Sequence, residues 1–257
     1  MGHQQVVEEW QLATLAEKIP PQALKQGSHF LRNNLVKQAK GLNVESEFSL
    51  EGYWLQIRAK GEDADAFLNL LKQEYGEPPI SRSRLEKWDV VNGFVTGAGR
   101  IGYGVYVDIG IQEPAPKDAL YPLHRMRAQL ADGEARSSRE ILDENALVDY
   151  VPLKMIVTEL EGEKISVELN DEARDRLVSW RKYPFDRVIV VGADKTQAET
   201  AVRAAGLQSD IVKVESLSLF VQSLLCKIGT DAPGVIAKIG NRLRGIGLSS
   251  YRTPAKL

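Results

Sequence analysis

Residues 103–110 read YGVYVDIG, and no other stretch limits the possible folds of this chain as strongly. Tyr103, Val105, Val107 and Ile109 alternate with Gly104, Tyr106 and Asp108, a period of two that an extended strand satisfies and a helix does not. One side of this strand is apolar and belongs in a core. The other carries Tyr106 between Gly104 and Asp108 and is the side expected to face outward. Further strand signals surround it. Val90 to Thr96 precedes it across the loop GAGRIG, and Ala119 to Met126 follows as a third short strand. Val151 to Leu160 and Lys164 to Leu169 form a hairpin across Glu161-Gly162-Glu163. About five short strands in sequence predict a small closed barrel over residues 88–170. A polar insert at 129–145, helical near Ser137 to Glu144, interrupts it.

The barrel has a shorter α/β segment on each side. In residues 1–80, Trp10 to Ala16 is compatible with strand or helix. Gln22 to Lys40 has helical apolar spacing at Leu24, Phe30, Leu31, Leu35 and Val36, and Gly41 stops it. Val44 to Leu50 and Tyr53 to Ala59 alternate and form a hairpin across Glu51-Gly52. Asp63 to Tyr75 is a helix with Phe67, Leu70 and Leu71 on one face, closed by Gly76 and Pro78-Pro79. With an opening strand, the order is βαββα. Glu77 to Lys87 reads as a linker. In residues 182–257 the order repeats: strand Arg187 to Val191, helix Lys195 to Ala205, strands Ile211 to Ser216 and Leu219 to Ile228, and a helix after Thr230-Asp231. No residue-level repeat accompanies this. The predicted fold class is α+β and multidomain, a central barrel flanked by two small βαββα modules.

Composition narrows the function classes. The chain has 257 residues and a net charge of −2, and its single cysteine, Cys226, leaves no internal disulfide or cysteine zinc cluster. One cysteine fits a reducing compartment. No apolar run approaches the ~18 residues that span a bilayer, and the polar opening segment is not a secretory signal. A cytoplasmic protein without membrane partners is the expectation. Charge is unevenly spread. From Lys227 to the end, six basic residues, Lys238, Arg242 and Arg244 among them, accompany one acid, Asp231. Such a segment is either an electrostatic footprint for phosphates or a solvated helix and tail.

Four segments carry a resemblance. Gly93-Phe94-Val95, YGVYVDIG at 103–110, ALYPL at 119–123, and the strands VPLKMIVTEL and KISVEL resemble, in order and content, the S1 domain family of OB-fold barrels. The whole chain also resembles an archaeal family of unknown function with an S1-like centre between two α/β flanks, a likeness that implies no activity. The S1 resemblance implies RNA or single-stranded DNA on the face of the second and third barrel strands. Tyr103 and Tyr106 occupy the positions of the family's base-stacking aromatics, although an ideal strand sends their side chains to opposite faces unless a bulge or bend intervenes. Arg100, in the loop before that strand, and His124, Arg125 and Arg127, after the third, are candidates for phosphate contact. The chain departs from the family where Pro122 stands at a position often occupied by histidine, and in its partly acidic insert.

Other motifs carry less. Gly97-x-Gly99-x-x-Gly102 matches a dinucleotide fingerprint literally, but a strand follows it where the mechanism needs a helix N-terminus. Val188 to Ala201 is a strand-turn-helix without a P-loop, read as an ordinary turn capped by Asp194. His3, His29 and His124 lack metal-ligand spacing. No catalytic set, metal site or cofactor is implied. Three functions follow: a non-catalytic RNA or single-stranded nucleic-acid binder associated with ribosome or transcription machinery; a protein–protein adaptor; and an enzyme using the turn at Gly192 to Thr196 to hold a phosphorylated ligand, which would require convergent polar groups there.

Overall fold

A computed structural model describes residues 9–24 and 27–254. His3, the rest of the polar opening segment through residue 8, and Lys256 in the basic tail lie outside the described residues. The N-terminal module consists of β1 (Gln11–Lys18), α1 (Gly27–Gln38), β2 (Glu45–Glu51), β3 (Trp54–Lys60) and α2 (Ala64–Tyr75). Its antiparallel sheet has the order β1-β3-β2. The stretch from Trp10 to Ala16, compatible in sequence with strand or helix, therefore falls in a strand from Gln11 onward. Leu55, Ile57 and Ala59 of β3 alternate inward against Leu31 and Leu35 of α1 and Phe67, Leu68 and Leu71 of α2. Leu70 and Val36, expected at the inner faces, are exposed.

The chain then adds a two-residue strand, β4 (Ile80–Ser81), parallel to the barrel, so the segment read as a linker is partly built into the sheet. The barrel strands are β5 (Val90–Thr96), β6 (Gly104–Glu113), β7 (Lys117–Pro122), β8 (Pro152–Glu161) and β9 (Lys164–Leu169). They close in the cyclic order β5-β6-β7-β9-β8, the parallel β7–β9 pairing completing the ring. Val105, Val107 and Ile109 are fully buried inside it, as the alternation requires. Between β7 and β8 lie α3 (Leu123–Leu130) and α4 (Ser138–Glu144). The third strand therefore ends at Pro122, four residues sooner than its apolar pattern suggests. Pro122 has no backbone N–H to continue the ladder, and the chain turns helical at Leu123. Ser137 and Glu140 form a reciprocal capping box that starts α4.

Directly after β9 comes α5 (Asp171–Lys182), an element the sequence reading left unassigned. Asn170 caps it by accepting from the Ala173 amide at 2.8 Å. The C-terminal module comprises β10 (Arg187–Val191), α6 (Lys195–Ala204), β11 (Ile211–Ser218), β12 (Val221–Cys226), α7 (Ala232–Ile239) and a further strand, β13 (Gly247–Tyr251). It is therefore βαββαβ rather than βαββα. The antiparallel order β11-β12-β10-β13 is the split βαβ arrangement. In the N-terminal module the place corresponding to β13 is left without a strand.

The C-terminal sheet is buried on both faces, and the alternation along β10 records it. Val188 and Val190 pack under α6 and α7, whereas Ile189 and Val191 join the barrel core through Leu177 and Trp180 of α5. Trp180 meets Tyr251 edge-on at 5.7 Å, and the Arg187 guanidinium lies 4.5 Å over its ring. The tip of the β11–β12 hairpin reaches the N-terminal core, where Phe220 packs edge-on to Phe30 at 5.4 Å. Phe220 also lies so close to Gly27 that a Cβ there would come within 2.7 Å of its ring. Half-buried Glu17 of β1 accepts from the Leu219 amide of that tip at 3.2 Å. Burial raises the Glu17 carboxyl from 4.5 to about 8, against the lowering effect of that amide.

The N-terminal module grips the barrel through Asp108. Its carboxylate receives Lys18 as an ion pair, the Trp54 indole N–H at 3.1 Å and the Gly110 amide at 2.9 Å. Trp54 packs edge-on to Phe94 at 5.4 Å. Gly110 sits at φ +84°, and a Cβ there would come within 2.4 Å of Pro78, so the modules meet where only glycine fits.

Two outcomes test these contacts. Asp108→Ala leaves the Lys18 ammonium buried without its partner and is expected to cost about 3–5 kcal/mol, read from the urea midpoint. Glu17 keeps its proton in the folded chain while the unfolded chain has already ionised, so its contribution is whole below about pH 4.5 and is lost as pH rises toward about 8. Melting temperature should therefore fall across that window more steeply in the parent protein than in Glu17→Gln. Equal slopes would show that Glu17 titrates normally.

Candidate nucleic-acid interface

The outward side of β6 carries Gly104, Tyr106 and Asp108, as alternation requires. Tyr103 precedes the strand in a bend, and Gly104 has φ +156°. A Cβ on Gly104 would lie 2.4 Å from the Tyr121 carbonyl oxygen, so glycine permits this close pairing of β6 with β7. The bend brings the Tyr103 side chain back toward Tyr106, and their hydroxyls are 3.0 Å apart. The opposite-face geometry of an ideal strand does not hold here, and both candidate aromatics share one surface. Tyr103 is 56% exposed and Tyr106 half-buried. The hydrogen bond with Tyr103, then partial burial, then nearby charge including Asp118 raise the Tyr106 phenol above its ordinary value. The Tyr106 ring is therefore a neutral aromatic surface at physiological pH.

Cations border the pair. Arg100 is exposed in the 97–102 loop. That loop is pinned rather than loose: the Ala98 amide donates to Asp149 at 2.7 Å, and the Ser138 hydroxyl donates to the Ile101 carbonyl at 2.9 Å. Arg139 of α4 lies alongside, its Nε 3.7 Å from where a Gly99 Cβ would stand. The sequence reading missed Arg139 because it belongs to the insert judged acidic, and no periodicity links it to the loop. On the other side, the Leu123 amide donates to the Tyr103 carbonyl at 2.8 Å, which brings the start of α3 beside the tyrosines. His124 and Arg125 are exposed there, with Arg125 paired to Glu168 at 3.1 Å. Arg127 has a different task. Its Nε donates to the Arg136 carbonyl at 2.7 Å, and its own carbonyl accepts from Ala131 and Gly133, so it organises the insert. Asp118 on β7 is the acid nearest in character to trouble a phosphate, and burial followed by the charge of Asp108 raises its carboxyl while Lys18 opposes them.

The N-terminal module meets this strand at Asp108 and Gly110, α4 holds the 97–102 loop through Ser138, and Tyr106 keeps part of its surface exposed. The basic residues Lys238, Arg242 and Arg244 are exposed on the C-terminal module, on the α6–α7 side of its sheet, whereas α5 and the barrel pack on the other side. They form a second surface and do not extend the tyrosine patch. Among the described residues no group of three or more His, Cys, Asp or Glu is placed to hold a metal ion, and no helix is long and apolar enough to cross a membrane. Cys226 is buried, and burial, with Asp186 and Asp231 adding, pushes its thiol up to about 12. The α6 N-terminus is closed by its own capping box, Asp194 accepting from the Gln197 amide at 2.9 Å.

Fold and surface define a mixed α+β protein built on a closed five-stranded barrel with a sheet on either side. The chain belongs to the DUF2110 family, whose central domain matches residues 85–181 and whose C-terminal domain matches residues 185–249. The boundary between the two matches falls after α5, which assigns that helix to the barrel. No curated protein matches the chain.

Proposed function

We propose that this protein binds single-stranded RNA across the β6–β7 face of an S1-like OB barrel. The observation that carries the reading is the pair formed by exposed Tyr103 and half-buried Tyr106, hydroxyl to hydroxyl at 3.0 Å, with Arg100 in the loop that leads into their strand and Arg139 beside that loop at Gly99. Aromatic rings accept unpaired bases by stacking, and guanidinium groups beside them track the phosphates. The pair lies on the second of five barrel strands, and Arg100 lies in the loop joining the first to the second, the parts of an OB barrel that hold oligonucleotides. The barrel order and the helices after the third strand support that assignment. Affinity comes mainly from a few phosphate contacts, because the net charge is only −2. A cytoplasmic accessory factor of ribosome or transcription machinery in an archaeal cell is the setting this reading favours, by analogy of fold. A second reading, a protein adaptor, draws on Trp88 and Val90, 63% and 54% exposed at the start of the barrel, with Lys87 4.7 Å over the indole.

Fluorescence anisotropy with unstructured single-stranded RNA, duplex RNA and duplex DNA at several salt concentrations separates the two. The expected result is a preference for the single strand that weakens with salt, about tenfold weaker binding for Tyr106→Ala, and tighter binding for Asp118→Asn. Absence of binding at low salt, or a Tyr106→Ala variant that binds like the parent, would overturn the RNA reading.

A further inference from the structure

The C-terminal module contains a groove that the barrel reading does not use. It runs along α6, with the 241–246 loop as its opposite wall, and encloses about 390 Å³. Thr196 and Thr200, one helical turn apart, line it from α6, and Arg242 and Arg244 line it from the loop. Among the described residues no acidic side chain lines the groove. None of the ion pairs among the described residues uses either arginine, although Arg242 Nη1 donates to the Lys238 carbonyl at 3.0 Å. Ala201, Ala204 and Leu243 leave apolar surface between the polar groups. The helix N-terminus is not the attraction, because Asp194 and Gln197 already satisfy it through their capping box.

Two arginines, two hydroxyls and no carboxylate select a dianion rich in acceptor oxygens, and guanidinium groups match phosphate geometry bidentately. An apolar slot floored by alanines takes a flat ring that inorganic phosphate lacks. We propose that this groove binds one phosphate-bearing nucleotide unit, with its phosphate on Arg242 and Arg244 and its base against Ala204 and Leu243. A free nucleoside monophosphate and the phosphorylated end of a nucleic-acid strand offer the same chemistry. The site is independent of the tyrosine face, because the C-terminal sheet and α5 stand between them.

Calorimetry of the full chain with AMP, adenosine and inorganic phosphate tests it. The expected result is that AMP binds more tightly than either fragment, and that Arg242→Ala and Arg244→Ala each weaken it by about tenfold. Ala204→Trp, an exposed position on α6, should fill the slot and abolish AMP binding without changing the melting temperature. Tyr106→Ala should leave AMP binding untouched, so failure of the barrel reading and failure of this one are separable. A short oligonucleotide with and without a terminal phosphate distinguishes the two sources. Preference for the phosphorylated strand over AMP identifies a strand end, and the reverse identifies a free nucleotide. Absence of AMP binding together with indifference to the terminal phosphate would overturn the proposal, as would AMP binding that survives both arginine substitutions and Ala204→Trp.

Discussion

The buried carboxylate of Asp108 is the point on which the arrangement of the modules turns. It projects outward from β6, the strand whose inward residues fill the barrel, and outside the barrel it would face water. Instead it meets Lys18, the Trp54 indole and the Gly110 amide. A charge taken out of water this way is tolerated only when its partners are complete, so the contact specifies one docking position for the N-terminal module more than it adds stability. Asp108 stands two residues beyond Tyr106 on the same side of the strand. The docking contact and the tyrosine pair are therefore neighbours on one strand, with Tyr103 exposed and Tyr106 half-buried.

The C-terminal module is held by burial rather than charge. Its sheet has no free face, since α6 and α7 cover one side and α5 with the barrel covers the other. The β11–β12 tip carries Phe220 into the core of the first module. Each module thus supplies a side chain that completes another's packing, and the hydrophobic contribution of that apolar area is lost if any one of them undocks. Glu17 lies at this contact, where burial raises its carboxyl above the usual range. The same interlocking separates the two polar surfaces. The tyrosine patch belongs to the barrel, and the arginine groove lies beyond the sheet that α5 covers.

Much of this was legible. The alternation in YGVYVDIG named the inward residues of β6 correctly because side-chain direction in a strand has a strict period. Asp194 and Ser137 marked helix starts because a short polar side chain satisfies the orphan amides of a first turn. Other elements escaped for physical reasons. The end of β7 was placed four residues late because Leu123 and Met126 extend the apolar content of ALYPL, while their spacing of three is that of the helix they form. The α5 segment does carry helical spacing at Ala173, Leu177 and Trp180 and charges that suit its dipole, but it falls between the two regions that drew attention. In β13 the residues Gly247, Ser249 and Ser250 have little strand propensity. They form a strand because the edge of β10 is there to pair with.

The sequence by itself determined much of the local structure: the five barrel strands, the helix starts at Ser137 and Asp194, the inward side of β6, and that Tyr106 and Arg100 lie near one another along the chain. Those properties follow from periodicity and turn chemistry within a few residues. Only the tertiary structure decided that Tyr103 joins Tyr106 through the bend at Gly104, that Arg139 from a distant helix lies beside the loop at Gly99, that Arg127 is occupied by the insert, and that Arg242 and Arg244 line one groove with Thr196 and Thr200. Each of these depends on contacts between residues far apart in sequence, which are set by how the apolar faces of different elements find one another and not by any pattern within an element.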